Sequence, residues 1–186
     1  MLAVAAALVP APAGHADIRY RTKIVGASGD LADVLDKVSE LKTLEGRQPA
    51  SEEALRRRAD RDLSRLADAA HSLGYWDARF DYRIDTAPQP QRVTVKVAPG
   101  LLYRVASVAV LGPDGRPLAI PPAAAPLPLK PGDPARTAPV VAAEAALLTA
   151  FGDSGHPFAK VDSRRVVIDR RNHTMAVTYE LAPGPA

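Results

Sequence analysis

The strongest constraint on this chain is that it repeats itself. Setting Gly74 on Gly155 brings Leu66 onto Leu147, Ala69 onto Ala150 and Ala78 onto Ala159. The ends of the two copies also agree, Val97-Ala98-Pro99-Gly100 against Leu181-Ala182-Pro183-Gly184. Each copy runs as an apolar helix, a glycine stop, an alternating strand, a turn and a second alternating strand. Self-similarity at a fixed spacing marks one supersecondary unit used twice. A copy of roughly 80 residues buries a thin core and is only modestly stable alone.

Composition narrows the class. Of 186 residues, 47% are hydrophobic and 24% charged, too apolar for a disordered chain. The net charge of +3 is a mild excess spread along the chain and gives no argument for nucleic acid. Cysteine is absent, which excludes a disulfide scaffold and a cysteine-based zinc site. Leu2 to Val9 is an apolar run too short to span a bilayer, and it leads to Gly14-His15-Ala16 and polar Asp17. Residues 1–16 therefore read as a secretory signal peptide, incomplete at its start because no basic residue precedes the apolar run.

Taken in order, Asp17–Ala27 alternates with period two and predicts a strand. Leu31, Val34, Leu35, Val38 and Leu41 then fall at helical spacing, and this first helix should stop near Gly46. Ser51 is the expected N-cap of a second helix, with Glu52 and Glu53 in its positive first turn. Its stripe is Leu55, Ala59, Leu63, Leu66, Ala70 and Leu73, and Gly74 supplies the left-handed stop. Arg56-Arg57-Arg58 reads as a solvated outer face, with contact to anionic lipid headgroups as the sharper alternative. A hairpin follows. Ala78, Phe80, Tyr82 and Ile84 alternate with Asp77, Arg79, Asp81, Arg83 and Asp85, and Val93, Val95 and Val97 return.

The first unit is thus β-α-α-β-β. Its third strand should sit in the centre, parallel to the first and antiparallel to the second, with both helices on one face. The second strand, Asp77 to Asp85, is then an open edge. The second unit begins with the strand Leu102–Val110, but residues 113–134 carry eight prolines, a density no regular helix survives. This segment is expected to be an extended loop with at most one short turn at Ala123-Ala124-Ala125. A helix from Ala135 to Phe151, with Val141, Ala145, Leu148 and Phe151 on one side, ends at the Gly152–Gly155 stop. The hairpin Ala159–Ile168 and Met175–Leu181 completes the copy. The division is 17–99 and 100–186, and the joint-like ending Ala182-Pro183-Gly184 leads us to expect a third unit beyond the chain.

Gly152-Asp153-Ser154-Gly155-His156-Pro157 resembles the nucleophile segment of trypsin-like proteases, and Ala69-Ala70-His71 their base segment. A serine nucleophile needs a histidine within hydrogen-bond reach. The repeat puts Ser154 and His71 in equivalent places of separate units, so no catalytic residue is assigned. The four histidines have no ligand spacing, and neither a metal nor a cofactor is expected. Asp77 and Asp81 read as exposed strand charges rather than an acid–base pair, and Trp76 as packing at the hairpin base.

The β-α-α-β-β unit, with Leu73-Gly74-Tyr75 closing its second helix and an Ala-Pro-Gly joint behind it, resembles the POTRA (polypeptide-transport-associated) domains of the Omp85 superfamily. Within it, Phe151 to Ala159, the strand Val166 to Asp169 and the close Leu181 to Pro185 are most similar to the TamA family. The resemblance implies a non-enzymatic periplasmic region that precedes an outer-membrane β-barrel in a Gram-negative bacterium. It also implies unfolded outer-membrane protein clients, autotransporters among them, and a TamB-like partner anchored in the inner membrane. A BamA-like or two-partner secretion transporter and a free-standing periplasmic interaction module are the alternatives. An open edge offers bare N–H and C=O groups to an extended client strand. The expected contact residues are Arg79, Phe80, Asp81, Tyr82 and Arg83 in the first unit, and Lys160, Val161, Asp162, Ser163 and Arg164 in the second.

Overall fold

Hydrophobic alternation and two glycine stops build the same frame twice. The computed structural model describes residues 18–122 and 126–185. The signal-peptide stretch 1–16 and the turn expected at Ala123-Ala124-Ala125 lie outside the described residues. The first unit comprises β1 (Tyr20–Val25), α1 (Gly29–Val38), α2 (Glu40–Thr43), α3 (Glu52–Ser72), β2 (Arg79–Asp85) and β3 (Gln91–Ala98). The second comprises β4 (Arg104–Leu111), α4 (Thr137–Asp153), β5 (Lys160–Asp169) and β6 (Thr174–Ala182). The fold is α+β, with two three-stranded mixed sheets ordered β1-β3-β2 and β4-β6-β5. In each, the last strand is central, parallel to the first and antiparallel to the second.

The two glycine stops are equivalent in atomic detail. Gly74 has φ +94° and Gly155 φ +98°, the left-handed region that favours glycine. The Gly74 N–H donates to His71 O (2.9 Å) and the Tyr75 N–H to Ala70 O (3.0 Å). In the second unit, Gly155 donates to Gly152 O (3.1 Å) and His156 to Phe151 O (2.9 Å). This is the paired C-terminal bonding of a Schellman motif, twice. At the other end of α3, the Ser51 hydroxyl accepts from the Ala54 N–H at 3.1 Å, as the sequence predicts.

The first helix is not continuous to Gly46. It breaks at Ser39 into α1 and the four-residue α2. The cause is Asp62, fully buried on the core face of α3. Its carboxylate accepts from the Ser39 hydroxyl (2.7 Å), the Glu40 N–H (2.6 Å) and the Leu41 N–H (3.2 Å). A charge at the N-terminal end of α2 satisfies amides that a continuous helix would have bonded internally. The buried stripe of α3 is therefore Leu55, Ala59, Asp62, Leu66 and Ala70.

Among the described residues, the second unit has one helix where the first has three. Leu129, 2% exposed, and the half-buried Leu118 and Leu127 of the proline-rich segment pack into its core instead. The face of α4 also differs from expectation. Val140, Ala143, Leu147, Ala150 and Phe151 are buried, whereas Val141 is 49% exposed. Glu144 is the one charged residue between Thr137 and Gly152, so the helix is apolar almost all round and its periodicity says little.

Burial holds the phenols of Tyr20, Tyr82, Tyr103 and Tyr179 above the usual tyrosine range, Tyr179 pushed up to about 12. The Tyr179 hydroxyl donates to Val140 O at 2.6 Å and so ties β6 to α4. A phenol whose pKa is raised by folding stabilises the fold below its unfolded value of 10.0. That stability is lost as pH climbs toward 12. Ultraviolet titration should show late, cooperative ionisation of these tyrosines together with loss of secondary structure, whereas independent ionisation near 10.0 would contradict it.

Candidate functional site at the open sheet edges

Each three-stranded sheet has two edges, and the structure closes one of them in each unit. At β1 the Thr22 N–H donates to the Glu45 carboxylate (2.6 Å) and the Ile18 N–H to Pro49 O (2.9 Å). At β4 the proline-rich segment doubles back along the strand. Val105 donates to Asp133 O (2.9 Å), Gly132 donates to Val105 O (2.8 Å), and Leu118 donates to Val110 O (2.9 Å). Prolines in such a cover lack N–H groups, so they cannot template a further strand.

Among the described residues, the edges of β2 and β5 are left without such a cover. The Gln91 N–H donates to Arg19 O, so the odd residues of β3 face β1 and the even ones face β2. Lys96 opposes Asp81 and Thr94 opposes Arg83, which fixes Arg79, Asp81, Arg83 and Asp85 as the residues bonded to β3. The outward backbone groups of β2 therefore belong to Phe80, Tyr82 and Ile84, whose side chains pack on the helices. One of the three N–H groups is occupied, because Tyr82 donates to Asp81 Oδ1 at 2.8 Å. An edge strand protected by its own carboxylate is a known defence against unwanted pairing. Asp81 thus blocks the edge as well as lying on the outer face.

In the second unit the Arg104 N–H donates to His173 O, so the even residues of β6 face β5. Ser163, Arg165, Val167 and Asp169 oppose them, which leaves the backbone of Arg164, Val166 and Ile168 pointing outward. The expected stretch from Lys160 to Arg164 is only partly regular, since the register shifts between Val161 and Ser163 and Asp162 is the extra residue. Lys160 pairs with Asp162 at 2.7 Å, Val161 packs on the core, and Ser163 is exposed. Arg164 pairs with Glu144 of α4 at 2.5 Å. The regular open run is Arg164–Ile168, further along the strand than the sequence indicated.

Beside this run lies an apolar groove of about 150 Å³, lined by Trp76, Thr137, Val140, Val141, Arg164, Val166 and Met175. A larger hollow of about 310 Å³ lies at the closed β1 edge, among Arg19, Tyr20, Glu45 and Gln48. The sequence places Trp76 at the base of its own hairpin. It instead stacks on His71 (centroids 5.1 Å apart) and packs against the core of the second unit. Its indole N–H is buried without a hydrogen-bond partner.

Asp77 departs from expectation too. It precedes β2 and sits at the joint between the units, one-third exposed. It accepts from the Tyr103 hydroxyl (2.8 Å) and from Arg170 (2.9 Å), with His173 Nε2 at 3.6 Å. The Tyr103 N–H donates to Gly74 O (2.9 Å), so the first glycine stop is also part of the joint. Asp30 and Arg136 bridge the units again at 2.9 Å. Sequence reasoning missed these residues because nothing local distinguishes Asp77 from the alternating charges that follow it.

The protease-like segments serve structural ends. The Ser154 hydroxyl donates to Phe151 O at 2.9 Å as part of the α4 terminus, and His71 lies in the other unit against Trp76. Arg58, expected on a solvated face, donates to the Tyr20 hydroxyl (2.9 Å), Leu44 O (3.2 Å) and Arg47 O (2.8 Å). Arg56 and Arg57 pair with Glu52 and Glu53, each at 2.7 Å.

No family model matches the sequence, and no curated protein matches it. Solved structures do. The chain is similar to BamA POTRA domains 3–5 from Haemophilus influenzae, at 24% identity over 96% of this chain and 70% of that one, with a TM-score of 0.46. It is similar to POTRA domains 1–2 of the periplasmic domain of Omp85 from Anabaena, at 16% identity over 91% of this chain and 94% of that one, with a TM-score of 0.47. Both are runs of POTRA domains. CdiB from Escherichia coli is a more distant likeness, at 11% identity and a TM-score of 0.38, and this chain spans 26% of its length.

Proposed function

We propose that this chain is the periplasmic POTRA region of an outer-membrane protein assembly factor of the TamA type, divided at Pro99-Gly100. It assists folding, insertion or translocation of outer-membrane β-barrel and autotransporter clients by adding their extended strands to its open edges. It works without a cofactor and without covalent chemistry, at the periplasmic face of the outer membrane of a Gram-negative bacterium. A β-barrel and a TamB-like inner-membrane-anchored protein are its partners in this reading. The observation that carries it is the pairing of one open and one closed edge in each of two tandem units. Strand addition draws affinity from backbone groups and tolerates many side-chain sequences, as a chaperone of varied β-clients requires.

A fluorescent peptide of alternating apolar and polar residues, the pattern of a barrel strand, tests this by titration with the full chain. Arg164→Pro removes an outward N–H of β5 and should weaken binding about fivefold or more, one backbone hydrogen bond being worth about 1 kcal/mol. Arg164→Ala removes the same side chain but keeps the N–H, and binding should stay within about twofold of wild type. Asp81→Ala frees the Tyr82 N–H and should tighten binding at β2. Equal losses in both Arg164 variants, or no binding by the wild-type chain, would overturn the reading.

A further inference from the structure

The helix-free face of the first sheet is a plane rich in cations. Pleat alternation turns Tyr20, Phe80, Tyr82, Val93 and Val95 toward the helices. It turns Arg21 and Lys23 of β1, Arg92 and Lys96 of β3, and Arg79 and Arg83 of β2 the other way, and all six are exposed. The strands place only two acids on that face, Asp81 and Asp85. Its net charge is therefore +4, more than the +3 of the whole chain. Register sets Arg21 directly beside Arg92. Like charges abreast in a sheet are destabilising, and Asp85 opposite Arg92 and Asp81 opposite Lys96 offset only part of that repulsion. Arg21 leans on Glu45 at 3.0 Å. None of the other five cations forms an ion pair among the described residues.

The arginine run on α3 is the contrast. Two of its three cations are matched by glutamates one turn away, and the third is spent on loop carbonyls. The basic surface with unmet charge is the sheet, where no run of basic residues shows in the sequence.

We propose that this sheet face lies against an anionic lipid surface. The strands place no aromatic residue and no Leu, Ile or Met on it. A protein partner would draw its affinity from buried aromatic or large aliphatic anchors, and this plane offers only the half-buried Val25 at its end. Headgroups at a charged bilayer need only charge, about 1 kcal/mol per basic residue held near the surface. Docking in this way holds the β2 edge alongside the membrane. The inference stands apart from strand addition, since it uses side chains on the face and not backbone along the rim.

Flotation of the full chain with vesicles tests it. Vesicles containing phosphatidylglycerol should retain the protein at low salt and release it as salt rises past the screening range of about 0.1 M. Purely phosphatidylcholine vesicles should not retain it. Lys23→Gln with Lys96→Gln touches neither open edge and should lower partitioning about thirtyfold, from about 1 kcal/mol per charge. Arg56→Gln with Arg57→Gln removes the same charge from α3 and should change it less than threefold. Circular dichroism confirms that both variants fold. Four outcomes would each overturn the proposal: no retention by the anionic vesicles, equal losses in the two variants, displacement by inorganic phosphate at matched ionic strength, or retention by polyglutamate but not by vesicles.

Discussion

Asp62→Ala should be the most damaging single substitution in the first unit, lowering its stability by about 3 kcal/mol. Three donors converge on the buried carboxylate, and truncation leaves the buried Ser39 hydroxyl and Leu41 amide and the half-buried Glu40 amide without partners. Leaving one such group unpaired costs about 1–3 kcal/mol. The midpoint of thermal unfolding should fall by on the order of 10–20 °C for a domain of this size. Asp62→Asn should do only a little better, because its amide nitrogen faces a donor on one side. Asp68→Ala, on the exposed side of the same helix, should stay within about 0.5 kcal/mol. A neutral Asp62→Ala would mean that α2 holds itself. There is a functional consequence as well. The Asp62 cap fixes α2, Tyr20 donates to Leu41 O at 3.0 Å, and Glu45 just beyond covers the Thr22 N–H. Without the cap, the closed β1 edge becomes a third open one. The variant should therefore self-associate on mild heating, which light scattering would register.

Asp77→Ala should uncouple the two units while leaving each folded. Tyr103 is fully buried, and its hydroxyl donates to Asp77 across the joint. Losing that acceptor costs about 2 kcal/mol, and Arg170 and His173 lose their shared partner. The remaining bridge, Asp30 to Arg136, is exposed and contributes under about 1 kcal/mol. Residual dipolar couplings of the wild type should fit one alignment tensor for both units, and those of Asp77→Ala should need two. Asp77→Asn, which keeps an acceptor for Tyr103, should fall between them. A single tensor for all three proteins would show that Trp76 and the Gly74–Tyr103 contact hold the joint unaided. Trp76 lines the groove beside β5, so a loosened joint should also weaken peptide binding at that edge.

Much of this protein was legible in its residues because the signals are local and doubled. The strands of period two, the Ser51 cap and the two glycine stops follow from spacing and backbone preference. Sheet order followed from two helices returning the chain to its starting end. The break at Ser39 was not legible, because a buried Asp among leucines reads as an interruption of the stripe until the element it caps is known. The buried face of α4 is not legible because a helix apolar on nearly every side carries no phase. The open run of β5 was shifted by a bulge that no residue in Val161-Asp162-Ser163 announces.

Sequence alone determined that there are two α+β units of one kind, how their strands are ordered, and which strands come to the rims. Those properties rest on residue periodicity, which acts over a few positions. Tertiary structure decided which rims stay bare, what joins the units and where unmet charge gathers. Each of these depends on groups far apart in the chain: Glu45 over Thr22, Gly132 beside Val105, Asp77 against Arg170, Arg21 abreast of Arg92. Such meetings are set by packing and register, and a one-dimensional pattern holds no distance between them.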